Sequence, residues 1–158
     1  MGLDMYLHKK IEVWGKYEHR KVMSEDITIT IGDKAYPINT KDIDEISIEV
    51  AYWRKANAIH NWFVTNIQDG NDDCKSYYID IPRLKGLRKT CQDTIELLDS
   101  NSYDVKDLPL QPQSGFFFGS TDIDEHYRAD IERTIKLLDN ILATNEDPNI
   151  HYEYSSSW

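Results

Sequence analysis

Residues Gly115–Tyr127 read GFFFGSTDIDEHY, a glycine-bounded run of three phenylalanines followed at once by a helix start. Thr121 or Asp122 can cap that helix. Asp124 or Glu125, three residues later, can close a capping box. Acidic residues in the first turn also suit the positive end of the helix dipole. The stretch therefore predicts an apolar turn that leads directly into a helix.

Apolar residues recur at helical spacing in three parts of the chain. The longest pattern predicts a helix over residues 122–144. Two further patterns predict helices over residues 51–68, which Gly70 would end, and over residues 84–98. We therefore expect three helices, the longest of them directly after the phenylalanine run.

Alternating apolar and β-branched residues predict strands in the remaining chain. The strand candidates are residues 3–7, the hairpin 27–38 with its Gly32-Asp33 turn, residues 46–50 and residues 76–81, where Pro82 ends the pattern. The final stretch, His151–Trp158, is short and β-prone, so it either pairs with the sheet or forms an exposed tail. The basic stretch Lys16–Lys21 is predicted to be a solvated loop or hairpin arm.

The length of 158 residues fits one domain, which we place over residues 1–158. Together with the element pattern, it predicts an α+β fold in which an antiparallel or mixed sheet is packed by about three helices. The order of the strands does not follow from the sequence.

The chain is acidic, with 18 basic and 28 acidic residues, a net charge of -10 and a pI near 4.9. This balance disfavours direct binding to nucleic acid phosphates or to anionic lipid. An acidic surface could instead imitate DNA and occupy a nucleic-acid-binding protein.

The two cysteines, Cys74 and Cys91, form no pairing motif, which favours reduced thiols in a cytoplasmic protein. The amino terminus has no apolar core of a signal peptide, and no window is long and apolar enough to span a bilayer. We therefore expect a cytoplasmic protein without a membrane segment.

Two clusters contain candidate metal ligands: Asp122, Asp124 and His126 in one, and Asp72, Asp73 and Cys74 in the other. On a helix only residues 122 and 126 of the first cluster share a face, and neither cluster matches a known ligand spacing. Helix capping already accounts for the acids of the first cluster. We therefore predict no metal site and no cofactor.

No sequence motif identifies a reaction. The stretch GFFFGST lacks the central serine of a nucleophile elbow and the lysine of a phosphate-binding Walker loop. We predict no catalytic residue. The alternative is a metal-dependent or metal-free hydrolase that pairs a histidine with a carboxylate: His60 or His126 with Asp122 or Asp124.

Polar and aromatic side chains share one side of the helix predicted over residues 51–68. Their rings suit stacking on a planar ligand, and their amide, imidazole and guanidinium groups suit its polar edges. The predicted ligand-binding residues are Trp53, Arg54, Asn57, His60, Asn61, Phe117, Ser120, Thr121 and Trp158. Such a set fits a nucleotide-like ligand, and it fits a protein partner or a homodimer almost as well.

A structural interpretation of the same side chains competes with this one. In it Trp53 belongs to the core, and the nearby amides and imidazole tie loops to the helix, because buried polar groups normally find partners.

The strings GLDMYL, YWRKANAIHNWF, GFFFGSTDIDEHY and YSSSW extend over almost the full length. On them the chain resembles a family of small proteins of uncharacterised activity encoded by phages, prophages and their hosts. The resemblance supplies no functional residues, but it implies a phage or mobile-element setting, where small acidic proteins often counter host defences. In that setting we expect a phage-type accessory protein that binds a nucleotide-like ligand, such as a host immune signal. The alternative is an acidic inhibitor that binds a host defence protein or nucleic-acid enzyme.

Overall fold

The structure, a computed structural model, describes residues 2–16, 19, 27–143 and 147–158. In these residues the elements are β1 (Asp4–Glu12), β2 (Ile27–Ile31), β3 (Lys34–Ile38), β4 (Glu45–Arg54), α1 (Asn57–Asn66), β5 (Tyr77–Ile79), α2 (Ile81–Asp99), α3 (Glu125–Leu142) and β6 (Ile150–Ser157). Short 3-10 turns occupy Thr40–Asp42 and Val105–Asp107. The prediction of an α+β fold is confirmed.

Two antiparallel sheets form the β-structure of the described residues. The larger has four strands in the order β4-β1-β6-β5, and the smaller is the β2-β3 hairpin. The hairpin predicted around Gly32 is confirmed. The final strand β6 lies inside the larger sheet between β1 and β5, so its residues pair with the sheet and do not form a tail.

The core lies between one face of the larger sheet and the helices. Leu3, Met5 and Leu7 are fully buried, which confirms the alternation predicted for the first strand. From the neighbouring strand β6, the ring of Tyr154 stacks on Phe63 of α1, with ring centroids 3.8 Å apart. This contact fixes α1 against the centre of the sheet.

The helix predicted over residues 51–68 is wrong at its start. Strand β4 continues to Arg54, with Trp53 opposite Met5 of β1, and α1 begins only at Asn57. Between them Lys55 takes the left-handed conformation, with φ of +58°, and turns the chain from strand to helix. Trp53 has the sequence spacing of a helix residue, but its pairing with β1 makes it a strand residue. The local pattern misses this because β1 lies far away in the sequence.

The start of α3 also differs from its prediction. Asp124, and not Thr121 or Asp122, caps the helix, and its carboxylate accepts hydrogen bonds from the backbone N–H groups of His126 and Tyr127 at 3.0 Å. The predicted end at residue 144 lies outside the described residues, as does most of the basic stretch 16–21. The capping rule identified the right residue type but placed the cap two or three residues early.

The second predicted helix begins earlier than expected. Strand β5 ends at Ile79, Asp80 caps α2 and Pro82 lies in the first helical turn, where the missing N–H leaves no hydrogen bond unmade. Pro82 therefore belongs to the helix start. Among the described residues, no helix combines the length and the apolar character needed to cross a bilayer.

Candidate functional site

A cleft of about 410 Å³ opens between the turn that joins β4 to α1 and the first half of α3. Its walls come from residues 54–59, from Gly119, Ser120 and Asp122 of the loop before α3, and from α3 itself as far as Ile131. Pockets for small ligands have volumes of about 300–1,000 Å³, so this cleft is large enough for one.

One wall of the cleft is cationic. Arg54 has a side chain that is 56% exposed, and its guanidinium lies 3.7 Å from the carboxylate of Asp4. The next residue, Lys55, is exposed as well. Residue 56 is an alanine, which has no side-chain oxygen to cap α1. The backbone N–H of Asn57 bonds instead to the Lys55 carbonyl at 2.8 Å, and Ile59 is fully buried. The two cationic side chains and the positive end of the helix dipole together suit an anion.

The loop before α3 approaches the cationic wall closely at Gly119. This glycine has φ of +89°, and a Cβ placed on it would lie 3.3 Å from the Cβ of Lys55. Any side chain here would therefore combine backbone strain with crowding against Lys55. The glycine allows the loop to form the edge of the cleft.

The opposite wall is acidic. Asp124 caps α3, and the backbone N–H of Tyr127 is the main cause that holds the pKa of this carboxyl below its usual range. Asp122 accepts a hydrogen bond of 2.7 Å from the Ser120 hydroxyl. Asp130 is half-buried, and burial raises its pKa, while the positive charge of Arg133 opposes that shift. The acidic wall therefore holds three carboxylates in different environments.

Asn57 joins the two sides of the cleft. Its side-chain amide donates to the carbonyl oxygens of Phe118 at 3.1 Å and Ser120 at 2.7 Å, and its side-chain oxygen accepts from the backbone N–H of Gln113 at 3.3 Å. The residue is only 5% exposed. Because Asn57 is the first residue of α1, these bonds fix the loop relative to the helix N-terminus.

Of the nine residues predicted to bind ligand, the structure brings Arg54, Asn57 and Ser120 to the walls of this cleft. Thr121 is exposed in the same loop, between Ser120 and Asp122. Trp53 lies on strand β4 and is 1% exposed, with its indole N–H donating to Thr134 at 2.8 Å. The prediction that Trp53 shares a helix face with the polar residues is therefore wrong.

His60 and Trp158 meet at a different place. His60 is fully buried; its Nδ1 lies 2.7 Å from the Tyr154 hydroxyl and its Nε2 lies 3.0 Å from Asp72. The indole N–H of Trp158 donates to the other oxygen of Asp72 at 3.0 Å. These bonds hold the end of β6 and the loop after α1 together, as the structural interpretation of these side chains expects.

Asn61 and Phe117 also hold loops in place. The Asn61 amide donates to the carbonyl oxygen of Gln111 at 2.9 Å, and the Phe117 carbonyl accepts from the backbone N–H of Leu3 at 3.2 Å. Phe116, in the same turn, is 95% exposed. The turn is thus anchored by its backbone and presents one phenylalanine ring to solvent.

The wall residues absent from the predicted ligand-binding set include Lys55 and Asp130. The sequence pattern does not single out Lys55, because it predicts a helix over residues 51–68 and no turn at this position. Asp130 lies four residues after His126, so the two share one face of α3, but no local pattern links that face to the turn at Lys55.

Only some of the histidine and carboxylate residues that the hydrolase alternative requires are available at the cleft. His60 is bonded to Asp72 in the interior, and Asp124 is engaged in capping, whereas Asp122 and His126 both line the cleft. Across the described ranges, no cluster of three or more His, Cys, Asp or Glu side chains has the geometry to hold a metal ion.

A second cleft of about 410 Å³ lies beside the short strand β5, between residues 78–82 and residues 147–152. The described residues of its lining include Asp80 and Asp147 but no lysine or arginine. It therefore suits an anionic ligand less well than the cleft at Arg54.

Comparison of the chain with protein-family models, with curated proteins and with solved structures finds no significant match.

Proposed function

We propose that the protein is a phage-type accessory protein that binds a small nucleotide-like ligand in the cleft between α1 and α3. The observation that carries this proposal is the arrangement of Arg54 and Lys55 beside the N-terminus of α1, opposite carboxylates of α3, within one cleft. A nucleotide carries a phosphate and sugar hydroxyls, which are the two kinds of group that these walls complement.

The cationic wall supplies the binding free energy for the phosphate. Hydrogen bonds from charged donors to phosphate are about twice as strong as neutral ones, and Arg54 can supply two parallel donors. Arg54 also pairs with Asp4 over 3.7 Å, so a bound phosphate would share the guanidinium with this carboxylate. The first turn of α1 lies at the same wall, but Ala58 and Ile59 are only 5% and 0% exposed, so the helix contributes its dipole and not free N–H groups.

Binding without turnover fits the rest of the site. The loop that forms the cleft edge is fixed by the bonds of Asn57, so little conformational entropy is lost when a ligand enters. In the phage setting that the sequence resemblance implies, a preformed site of this kind would remove a host immune signal by sequestration.

The test is calorimetric titration of AMP, and of a cyclic mononucleotide, into the purified protein in low salt. Arg54→Ala and Lys55→Gln are each expected to lower the affinity by roughly tenfold, which corresponds to about 1.4 kcal/mol. Lys89→Gln is the matched control, because Lys89 is an exposed lysine paired with Asp93 on α2, away from the cleft. Equal affinity in the wild type and in both cleft variants, or no binding at all, would contradict the proposal.

The second candidate is a protein inhibitor, and the exposure of Phe116 favours it. A ring that is 95% exposed on a turn fixed by Leu3 and Asn57 resembles the anchor of an interface, and the net charge of -10 suits a basic partner. In a binding assay with a candidate host enzyme, Phe116→Ser should abolish the complex and added salt should weaken it. A complex insensitive to both changes would eliminate this candidate.

A further inference from the structure

We infer that the cleft recognises the ribose-phosphate half of its ligand, with one phosphate at the cationic wall, sugar hydroxyls at Asp122 and Asp130, and no reading of the base. This inference rests on the proposed function and deepens it. It makes the class of ligand a nucleoside monophosphate or a pentose monophosphate.

The charges in the cleft limit the number of phosphates. The walls carry two cationic side chains, Arg54 and Lys55, and three carboxylates, Asp122, Asp124 and Asp130. A single phosphate can be neutralised by the two cations and by the end of α1. A second or third phosphate would extend toward the acidic wall, where carboxylates repel it.

The carboxylates differ in their ability to bind a hydroxyl. One oxygen of Asp124 already accepts two backbone N–H groups, and one oxygen of Asp122 is bonded to Ser120. The carboxyl of Asp130 makes no hydrogen bond to another described residue and is half-buried. A half-buried carboxylate without a donor gains most from a ligand that supplies one, and an ionised carboxylate accepts only. The vicinal hydroxyls of ribose are donors of the required kind.

The cleft offers a base one exposed aromatic ring, the imidazole of His126. Tyr127 also lines the cleft but is 8% exposed, with its hydroxyl donating to the Leu110 carbonyl at 2.6 Å. The exposed rings of Phe116 and Trp158 lie outside the walls of the cleft. Stacking on a single ring is open to any base, so it does not distinguish one base from another.

The experiment compares ligands of graded structure by calorimetry with the wild-type protein. AMP, GMP, CMP and UMP should bind with affinities within about threefold of one another, and ribose 5-phosphate should bind nearly as well. Adenosine, ATP and 2′,3′-dideoxyadenosine monophosphate should each bind roughly tenfold more weakly than AMP. Adenosine lacks the phosphate, ATP has phosphates that meet carboxylates, and the dideoxy compound lacks the hydroxyl donors.

A pair of substitutions on α3 tests the role of Asp130. Asp130→Asn should remove most of the difference in affinity between AMP and its dideoxy analogue. It should also reduce the ratio of the affinity for AMP to that for ATP. Glu132→Gln is the matched control. It removes a carboxylate from the same helix, and this carboxylate pairs with Arg128 away from the cleft. This control should leave both affinity differences, AMP against the dideoxy analogue and AMP against ATP, unchanged.

The outcomes separate the two claims. If no nucleotide and no sugar phosphate binds, the proposed function fails. If nucleotides bind but ATP equals or exceeds AMP, or if affinity follows the base and ribose 5-phosphate does not bind, the inference fails while the proposed function stands. An Asp130→Asn variant that keeps the full dideoxy difference would also overturn the inference.

Discussion

The side-chain amide of Asn57 donates to the backbone carbonyl of Ser120 over 2.7 Å and so joins the N-terminus of α1 to the loop that forms the edge of the cleft. The two residues are 63 positions apart in the sequence. The cleft therefore depends on one buried amide as much as on the charged residues that line it.

Replacement of Asn57 should weaken both the fold and the site. Asn57→Ala leaves the carbonyls of Phe118 and Ser120 without their donor, and we expect the free energy of unfolding to fall by about 1–3 kcal/mol. Urea denaturation measures this loss, and calorimetry should show weaker AMP binding. Asn66→Ala, which removes an exposed amide bonded to Trp62 on the same helix, should change neither quantity appreciably. Equal effects of the two substitutions would contradict the role given to Asn57.

Two glycines distinguish backbone strain from crowding at the cleft. Gly119 and Gly70 both have positive φ, of +89° and +78°, but a Cβ would meet Lys55 only at Gly119 and would meet nothing within 4 Å at Gly70. Each change to alanine should lower stability by about 1 kcal/mol or more. Only Gly119→Ala should also lower the affinity for AMP, because only there does the new methyl group displace Lys55. A loss of affinity in Gly70→Ala of the same size would contradict this account.

The contribution of Asp124 to stability should depend on pH. Hydrogen bonds from the N–H groups of Tyr127 and His126 lower the pKa of this carboxyl in the folded state. Its stabilising effect is therefore fully present above the unfolded pKa of about 3.9 and is lost as the pH falls through the lower folded value. Asp124→Ala should be less stable than the wild type at pH 7, and the difference should shrink on acidification below about pH 4. A difference that stays constant to pH 2.5 would show that the carboxylate charge is not involved.

His60 should prove to be a structural residue. Its two ring nitrogens bond to Tyr154 and Asp72 in the interior, so His60→Phe should lower the free energy of unfolding by about 1–3 kcal/mol through the unpaired partners. Binding of AMP at a temperature where the variant is folded should be unchanged, since His60 does not line the cleft. Loss of affinity without loss of stability would instead place His60 in the binding site.

Local patterns were sufficient to predict much of the fold. The alternation of Leu3, Met5 and Leu7 identified a half-buried strand, and the β-branched run before Gly32 identified the hairpin, because both depend on neighbouring residues. The extent of β4 could not be predicted in this way. The spacing of Trp53 from the apolar residues after it matches a helix, and only pairing with β1 makes it a strand residue.

The cleft was harder to predict for the same reason. Arg54, Asn57 and Ser120 were selected for their chemistry, and the fold brings them together. Asp130 enters from a separate helix, and no periodicity or motif connects it with a turn more than 70 residues earlier. Aromatic residues are ambiguous in a sequence, since a ring such as that of Trp53 can pack in the core as readily as it can bind a ligand.

An amide chemical-shift titration of the ¹⁵N-labelled protein with AMP tests whether the cleft at the α1 N-terminus binds the ligand. We expect the largest shifts at Ala58, Ile59 and Ser120, with Asp130 shifting in parallel along a single binding curve. Shifts confined to the second cleft around Tyr78 and His151, or no shifts at millimolar AMP, would contradict binding at this cleft.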